Sequence, residues 1–259
     1  MECRDMNIQL NKGKSIGKVL YIVEGGKTEP YLLHRIFCNL LDYQMETILR
    51  DKGYRKYNSK ENATSQVFVI NAEESNLQFI DKDNKFLDNL FVELIEHYDF
   101  DVDNAAIYYI FDRNSESNTD TEFIRSLLSK LVNSRDNGFA KQGMLLLSYP
   151  SIEAFTLSNF TEDSFLHGFE TGTTLKQYLH ECKINHSRIN EETVLHAVEE
   201  LMGAMKSMEL GAWDVDAFGP ANMRIFETEE NGYERDKVYY ALSLLCISLI
   251  DLGIIEVER

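Results

Sequence analysis

Four short apolar runs constrain this chain more than any other feature: KVLYIV (18–23), QVFVIN (66–71), AAIYYIF (105–111) and GMLLLS (143–148). They are short and mostly β-branched, aromatic or aliphatic, and their unbroken hydrophobicity marks strands covered on both faces. Helical spacing appears between them. Residues 84–97 carry Phe86, Leu87, Leu90, Leu94 and Ile95, and residues 120–133 carry Phe123, Ile124, Leu127, Leu128 and Leu131. A further helix begins after the first run, with Leu32, Leu33, Ile36, Phe37, Leu40 and Leu41 as its stripe. Strand and helix in alternation predict an α/β fold in which a parallel sheet is flanked by helices. Beyond residue 159 no run reads as a strand; 174–182, 191–205 and 236–252 read as helices. The expected organisation is an α/β domain over 1–160 followed by a mainly helical region over 161–259.

The first run ends in a corner that bears on chemistry, EGGKTEPY (24–31). Glu24 stands at the carboxyl end of a strand, where open parallel sheets bind their ligands. Gly25 and Gly26 permit a tight turn, Thr28 is a suitable N-cap, and Pro30 falls in the first helical turn, where a missing N–H costs nothing. Lys27 lies on the turn into the helix, where its charge and the helix N-terminus could meet a phosphate. The string is not a phosphate-binding loop of the GxxxxGK[ST] kind, because the positions before it are strand core. The third run delivers a second acid, Asp112, followed by Arg113, Asn114, Ser115 and Glu116. Neighbouring strand ends in a parallel sheet lie close enough for two carboxylates to share a divalent cation. Mg²⁺ needs only one or two protein carboxylates, with water and substrate phosphate in its other positions.

The net charge of −17 argues against broad electrostatic binding to nucleic acid but leaves room for a local basic groove. Residues 1–150 hold 18 Lys+Arg and 23 Asp+Glu, and residues 151–259 hold 8 and 20, so any phosphate-handling surface is expected in the first part. Residues 50–65 read as a polar loop in which Lys52, Arg55, Lys56 and Lys60 alternate with Tyr54 and Tyr57. This mixture suits phosphates and stacked bases, or else a solvated insertion. Scattered cysteines, Cys3, Cys38, Cys182 and Cys246, point to reduced thiols in a cytoplasmic protein. Neither a signal peptide nor a membrane span is apparent. His180, Cys182 and His186 form no convincing metal-ligand pattern, and the acids around Trp213 read as a loop anchored by its aromatic ring.

Three blocks, VEGGKTEPYLLHRIF, YYIFDRNSES and LLLSYPSIEAFTLSNF, resemble in order and spacing the motifs of Toprim-fold proteins. The nearest likeness is to the RloB-like group, with overcoming-lysogenization-defect nucleases and the PARIS effector AriB as relatives. The resemblance covers residues 18–160. It implies a Toprim-like sheet and an Mg²⁺- or Mn²⁺-dependent nuclease that hydrolyses phosphodiesters of DNA or RNA, tRNA among them, within prokaryotic anti-phage defence. Homodimerisation and an ABC-type ATPase partner are also implied. Glu24 and Asp112 take the metal-binding positions. The third metal position is Asn114, a neutral ligand: either Glu116 restores the acid, or metal binding is weaker, or catalysis has been lost and the chain is a non-catalytic interaction or sensor subunit. The same blocks bring in Lys27, Glu29, Ser148 and Glu153. Glu153 is expected as a further ligand or general base, or as an acid stabilising its own helix N-terminus. Lys27, Arg113, Lys52, Arg55 and Lys56 are the expected substrate-binding cations.

Overall fold

The computed structural model describes residues 7–46, 54–72, 77–80, 85–136 and 142–258. Strand β1 (Asn7–Leu10) precedes β2 (Lys18–Val23), and α1 (Thr28–His34) continues into a wider π-helical stretch, Arg35–Leu40. Then come β3 (Tyr43–Glu46), β4 (Arg55–Ser59), β5 (Gln66–Asn71), α2 (Lys85–Tyr98), β6 (Ala106–Asp112), α3 (Thr121–Leu128), β7 (Val132–Asn133) and β8 (Gly143–Tyr149). The remainder holds α4 (Glu153–Ser158), β9 (Gly168–Phe169), α5 (Gly172–Glu181), α6 (Glu191–Ser207) and α7 (Gly219–Asp236). It closes with β10 (Tyr239–Tyr240), β11 (Leu242–Ser243), α8 (Leu245–Asp251) and β12 (Ile255–Glu258).

The fold is α/β, with a mixed central sheet flanked by helices. Its order is β11-β8-β6-β2-β5-β4-β3, with β7 also on β8. The four strands at the centre, β8, β6, β2 and β5, are parallel, and they are the four apolar runs of the sequence. Their side chains are almost wholly buried, from Val19–Val23 on β2 to every residue of β8. After β2 the chain crosses to β5 on one side and returns to β6 on the other. The order therefore reverses between β2 and β6, the kind of crevice in which open α/β sheets bind ligands.

Several expectations change. Residues 50–65 are not one loop: Arg55–Ser59 forms β4, antiparallel to β5 and β3, because Tyr57 alternates inward to full burial while its neighbours stay half-exposed. The expected helix over 120–133 ends at Leu128, and Val132–Asn133 turns back to pair with β8. Residues 219–236 form a long helix that the apolar pattern did not announce. The expected helix over 236–252 begins only at Leu245, and two short strands, β10 and β11, precede it. Of these, β11 pairs with Ser148 and Tyr149 on β8, so the last part of the chain adds to the central sheet.

Residues from both sides of position 160 build one core. Its cluster runs from Ile16 to Ile255, and α7 reaches the sheet through Asn222, whose side-chain amide donates to the Leu145 carbonyl at 2.7 Å. β12 pairs with β1, closing the two ends of the described chain on each other. No described helix is long and apolar enough to cross a membrane.

Candidate active site

At the reversal point the carboxyl ends of β2 and β6 lie side by side, since Val23 is in register with Ile110. Glu24 follows β2 and Asp112 ends β6, so the sheet itself brings together acids 88 positions apart in the chain. The Asp112 backbone N–H donates to Glu24 Oε2 at 2.8 Å, and the Asn118 amide donates to the same oxygen at 3.3 Å. Asp112 Oδ1 accepts from the Ile152 N–H at 2.8 Å, which ties the end of β6 to the loop before α4. The other oxygens, Glu24 Oε1 and Asp112 Oδ2, accept nothing among the described residues.

Two more carboxylates complete the floor. Glu29, buried on the first turn of α1, accepts from the Gly25 N–H at 3.0 Å. A Cβ on Gly25 would sit 2.4 Å from Glu29 Oε2, so any side chain there would displace the Glu29 carboxylate from the turn. Thr28 is not the N-cap expected of it: Lys27 occupies that position without a side-chain cap bond, and the Thr28 hydroxyl donates to Glu153 Oε1 at 3.3 Å. Glu153 is buried at the start of α4 and also accepts from the Ser151 hydroxyl at 2.8 Å. Lys176 reaches in from α5, its Nζ 3.5 Å from Glu153 Oε1. Glu24, Lys27, Glu29, Asp112, Glu153 and Lys176 line one cleft of about 520 Å³.

Burial and crowding raise the acids together. Glu24 is pushed from its ordinary 4.5 to about 7, first by burial, against the Asp112 N–H, with Glu29 adding repulsion. Asp112 rises well above its ordinary value, again by burial first and then by the charges of Glu24, Glu29 and Glu153. Glu29 moves in the same direction, burial leading. Holding all of these carboxyls ionised requires positive charge in the cleft beyond its two lysines.

Such a donor set suits a hard cation such as Mg²⁺ or Mn²⁺, which prefers oxygen and takes one or two carboxylates with water. Among the described residues no three His, Cys, Asp or Glu side chains form a group able to hold a metal ion. The fit is therefore to the pair with uncommitted oxygens, Glu24 and Asp112, and to the water and phosphate that such an ion retains.

The other expected site residues lie elsewhere. Asn114 closes a turn: its Oδ1 accepts from the N–H groups of Glu116 at 2.7 Å and Ser117 at 2.9 Å, and neither Asn114 nor Glu116 lines the cleft. Arg113 is not available to substrate. It is 4% exposed, with its guanidinium bound to Glu230 at 2.6 Å, to Thr121 and to the Asn114 carbonyl, and it lies against the Tyr239 ring. Arg55 donates to the Pro30 carbonyl at 3.0 Å, and Lys56 pairs with Glu46 at 3.2 Å across two strands of the sheet. Both stand apart from the cleft lining. Lys52 lies outside the described residues. Sequence reasoning missed Asn118 and Lys176, which no local pattern distinguishes from surface residues. No family model matches the chain, and comparison with curated proteins and with solved structures finds no match.

Proposed function

We propose that this chain is a metal-dependent phosphodiesterase acting on nucleic acid, with the cleft at the ends of β2 and β6 as its active site. The observation that carries the reading is the joining of Glu24 to Asp112 at the reversal point, each with one oxygen uncommitted, beside Glu29 and Glu153. Two carboxylates that form no ion pair among the described residues, at a strand-end crevice that also holds two lysines, form an arrangement for cation and phosphate together.

Glu24 and Asp112 are the residues that would hold Mg²⁺ or Mn²⁺. When bound, such an ion polarises a phosphoryl oxygen and makes hydroxide available near neutral pH. The chain's own groups divide the remaining work. Lys27 and Lys176 meet the phosphate from two sides of the cleft. On this reading Glu153 accepts a proton from the attacking water, a role supported by its hold through Ser151 and Thr28 at the cleft. Glu29 holds the Gly25 turn and thereby the direction of Glu24.

The Toprim-like reading of residues 18–160 is supported by the acids at the ends of β2 and β6 and by Glu153 after β8. On that reading the substrate is DNA or RNA, tRNA included, and the setting is anti-phage defence. A net charge of −17 suits a nuclease that is carried to its substrate, for which an ABC-type ATPase partner and a homodimer are the implied assembly. One observation favours a second reading, a non-catalytic subunit of the same kind of complex: Asn114 is spent on its own turn, so the third metal position contributes nothing to the cleft.

Incubation with plasmid, single-stranded DNA and total tRNA in Mn²⁺ or Mg²⁺, beside Glu24→Gln, decides between them. Cation-dependent cleavage that is lost in the variant is expected. Cleavage that survives Glu24→Gln would sink the assignment. Absence of cleavage together with absence of Mn²⁺ binding by calorimetry would leave the non-catalytic subunit.

A further inference from the structure

A second pocket, remote in sequence from the strand-end acids, contains a buried acid that the proposed chemistry does not use. It measures about 340 Å³ and lies between the end of α6, the turn at Phe165 and Leu166, the middle of α7 and Tyr240 on β10. Phe165, Leu166, Met208 and the Tyr240 ring supply apolar walls, and Leu166 is 62% exposed at the rim. Glu229 is only 2% exposed, yet it lines this pocket. Among the described residues its side chain makes a single hydrogen bond, Oε2 accepting from the Tyr240 N–H at 3.1 Å. Burial pushes its carboxyl up to about 8, against that N–H and with the neighbouring Glu230 adding to the rise.

Capping one backbone N–H accounts for one oxygen of Glu229, and Oε1 is left without a donor among the described residues. The cation at the rim does not supply one: Arg235 is engaged through Nε and Nη2 with the carboxylate of Asp236. An acceptor at the base of apolar walls, in a part of the chain with 8 Lys+Arg against 20 Asp+Glu, selects for a donor carrying positive charge and against carboxylates and phosphates. We propose that this pocket binds a primary ammonium or guanidinium group on an apolar stem, with Glu229 as its acceptor and the Phe165, Leu166, Met208 and Tyr240 walls holding the stem. The chemistry is shared by a small alkylamine and by a lysine or arginine side chain of a partner protein. The proposal stands independently of the phosphodiesterase reading.

The test is titration of the full chain, followed by amide chemical shifts, with n-hexylamine, n-hexanol and hexanoate, and with the peptide acetyl-Leu-Lys-Leu-amide. Hexylamine is expected to perturb residues of α7 and β10 and to bind about ten-fold more tightly than hexanol, with hexanoate weakest. Glu229→Gln, which keeps an acceptor for Tyr240, should remove the preference for the amine. If that variant fails to fold, Thr228→Trp, an exposed substitution at the pocket mouth, should abolish binding without touching Glu229. Equal binding of hexanol and hexylamine, amine binding indifferent to these variants, or no binding of any probe overturns the proposal. Tighter binding of the peptide than of the free amine assigns the site to a partner's side chain, and the reverse assigns it to a small amine; either supports it.

Discussion

Strand β6 has an aspartate near each of its ends, and the two are treated in opposite ways. Asp251, at the end of α8, takes the Tyr108 hydroxyl, the Ser134 hydroxyl at 2.6 Å and the Arg135 guanidinium at 3.5 Å. Asp112, at the far end of the strand, takes one backbone N–H and otherwise faces Glu24, Glu29 and Glu153. Where a buried anion exists to hold the fold, the chain surrounds it with donors. Where acids are set against each other, their mutual repulsion is a cost to the fold that a retained proton relieves and that, on the proposed reading, a bound cation would remove.

Removing the cleft acids, the second kind, should cost activity and gain stability. Glu24→Gln and Asp112→Asn are each expected to reduce cation-dependent cleavage by more than the roughly 10–100-fold lost when only an outer partner of a metal ligand is removed. Both should raise the melting temperature of the metal-free protein. A fall in that temperature would mean that the cleft acids hold the fold together, as Asp251 does. At the other end of β6, Asp251→Ala leaves two buried hydroxyls without their acceptor and should cost about 3–5 kcal/mol by urea denaturation. Cleavage per folded molecule should be unchanged.

The contrast also has a pH signature. Glu24 titrates at about 7 in the folded chain against an ordinary 4.5, so between these values the native state keeps a proton that the unfolded state has released. Stability of the metal-free protein should therefore fall as pH rises from about 4.5 to 7, by on the order of 1–3 kcal/mol, with Asp112 and Glu29 acting in the same direction. Saturating Mg²⁺ should flatten the profile, and Glu24→Gln should remove much of it. A metal-free profile that rises over this window would break the comparison. Lys176→Met is a smaller perturbation. Its side chain is more than half exposed, so stability should change by less than about 0.5 kcal/mol. Turnover assays should show a loss of about ten-fold, mainly in KM, if the lysine contacts the phosphate in the ground state as well as the transition state.

The central strands and the pair Glu24 and Asp112 were legible in the sequence because a strand buried on both faces writes its whole length in apolar letters, and the residue after it must stand at the sheet's edge. β4 was hidden because only Tyr57 among its residues is fully buried, so polar letters surround it. α7 was hidden for a related reason: its buried face mixes Ile225 and Phe226 with Gly219, Asn222, Glu229 and Gly232, which no apolar stripe reveals. Arg113 read as a substrate-binding cation because its partner, Glu230, is 117 positions away and nothing local shows the pairing. Lys176 and Asn118 enter the site through tertiary packing alone. Local pattern locates the strand ends; which distant side chains fill the space above them depends on the packing of α5 and α7.

Asn114→Asp separates these two kinds of information with the smallest expected effect. By sequence it restores an acid at the third metal position. By structure, Asn114 Oδ1 accepts two backbone N–H groups and Nδ2 donates to the Ser117 hydroxyl at 3.1 Å, so an aspartate keeps the turn and loses one donated bond. Cleavage and Mn²⁺ affinity should change by less than about two-fold, since the one bond lost is half-buried and lies outside the cleft. A gain of ten-fold or more in either would show that the loop turns its side chain into the cleft when cation and substrate arrive. The cleft would then be completed only in the loaded state, and the pairing of Glu24 with Asp112 would be half of the metal site rather than the whole of it.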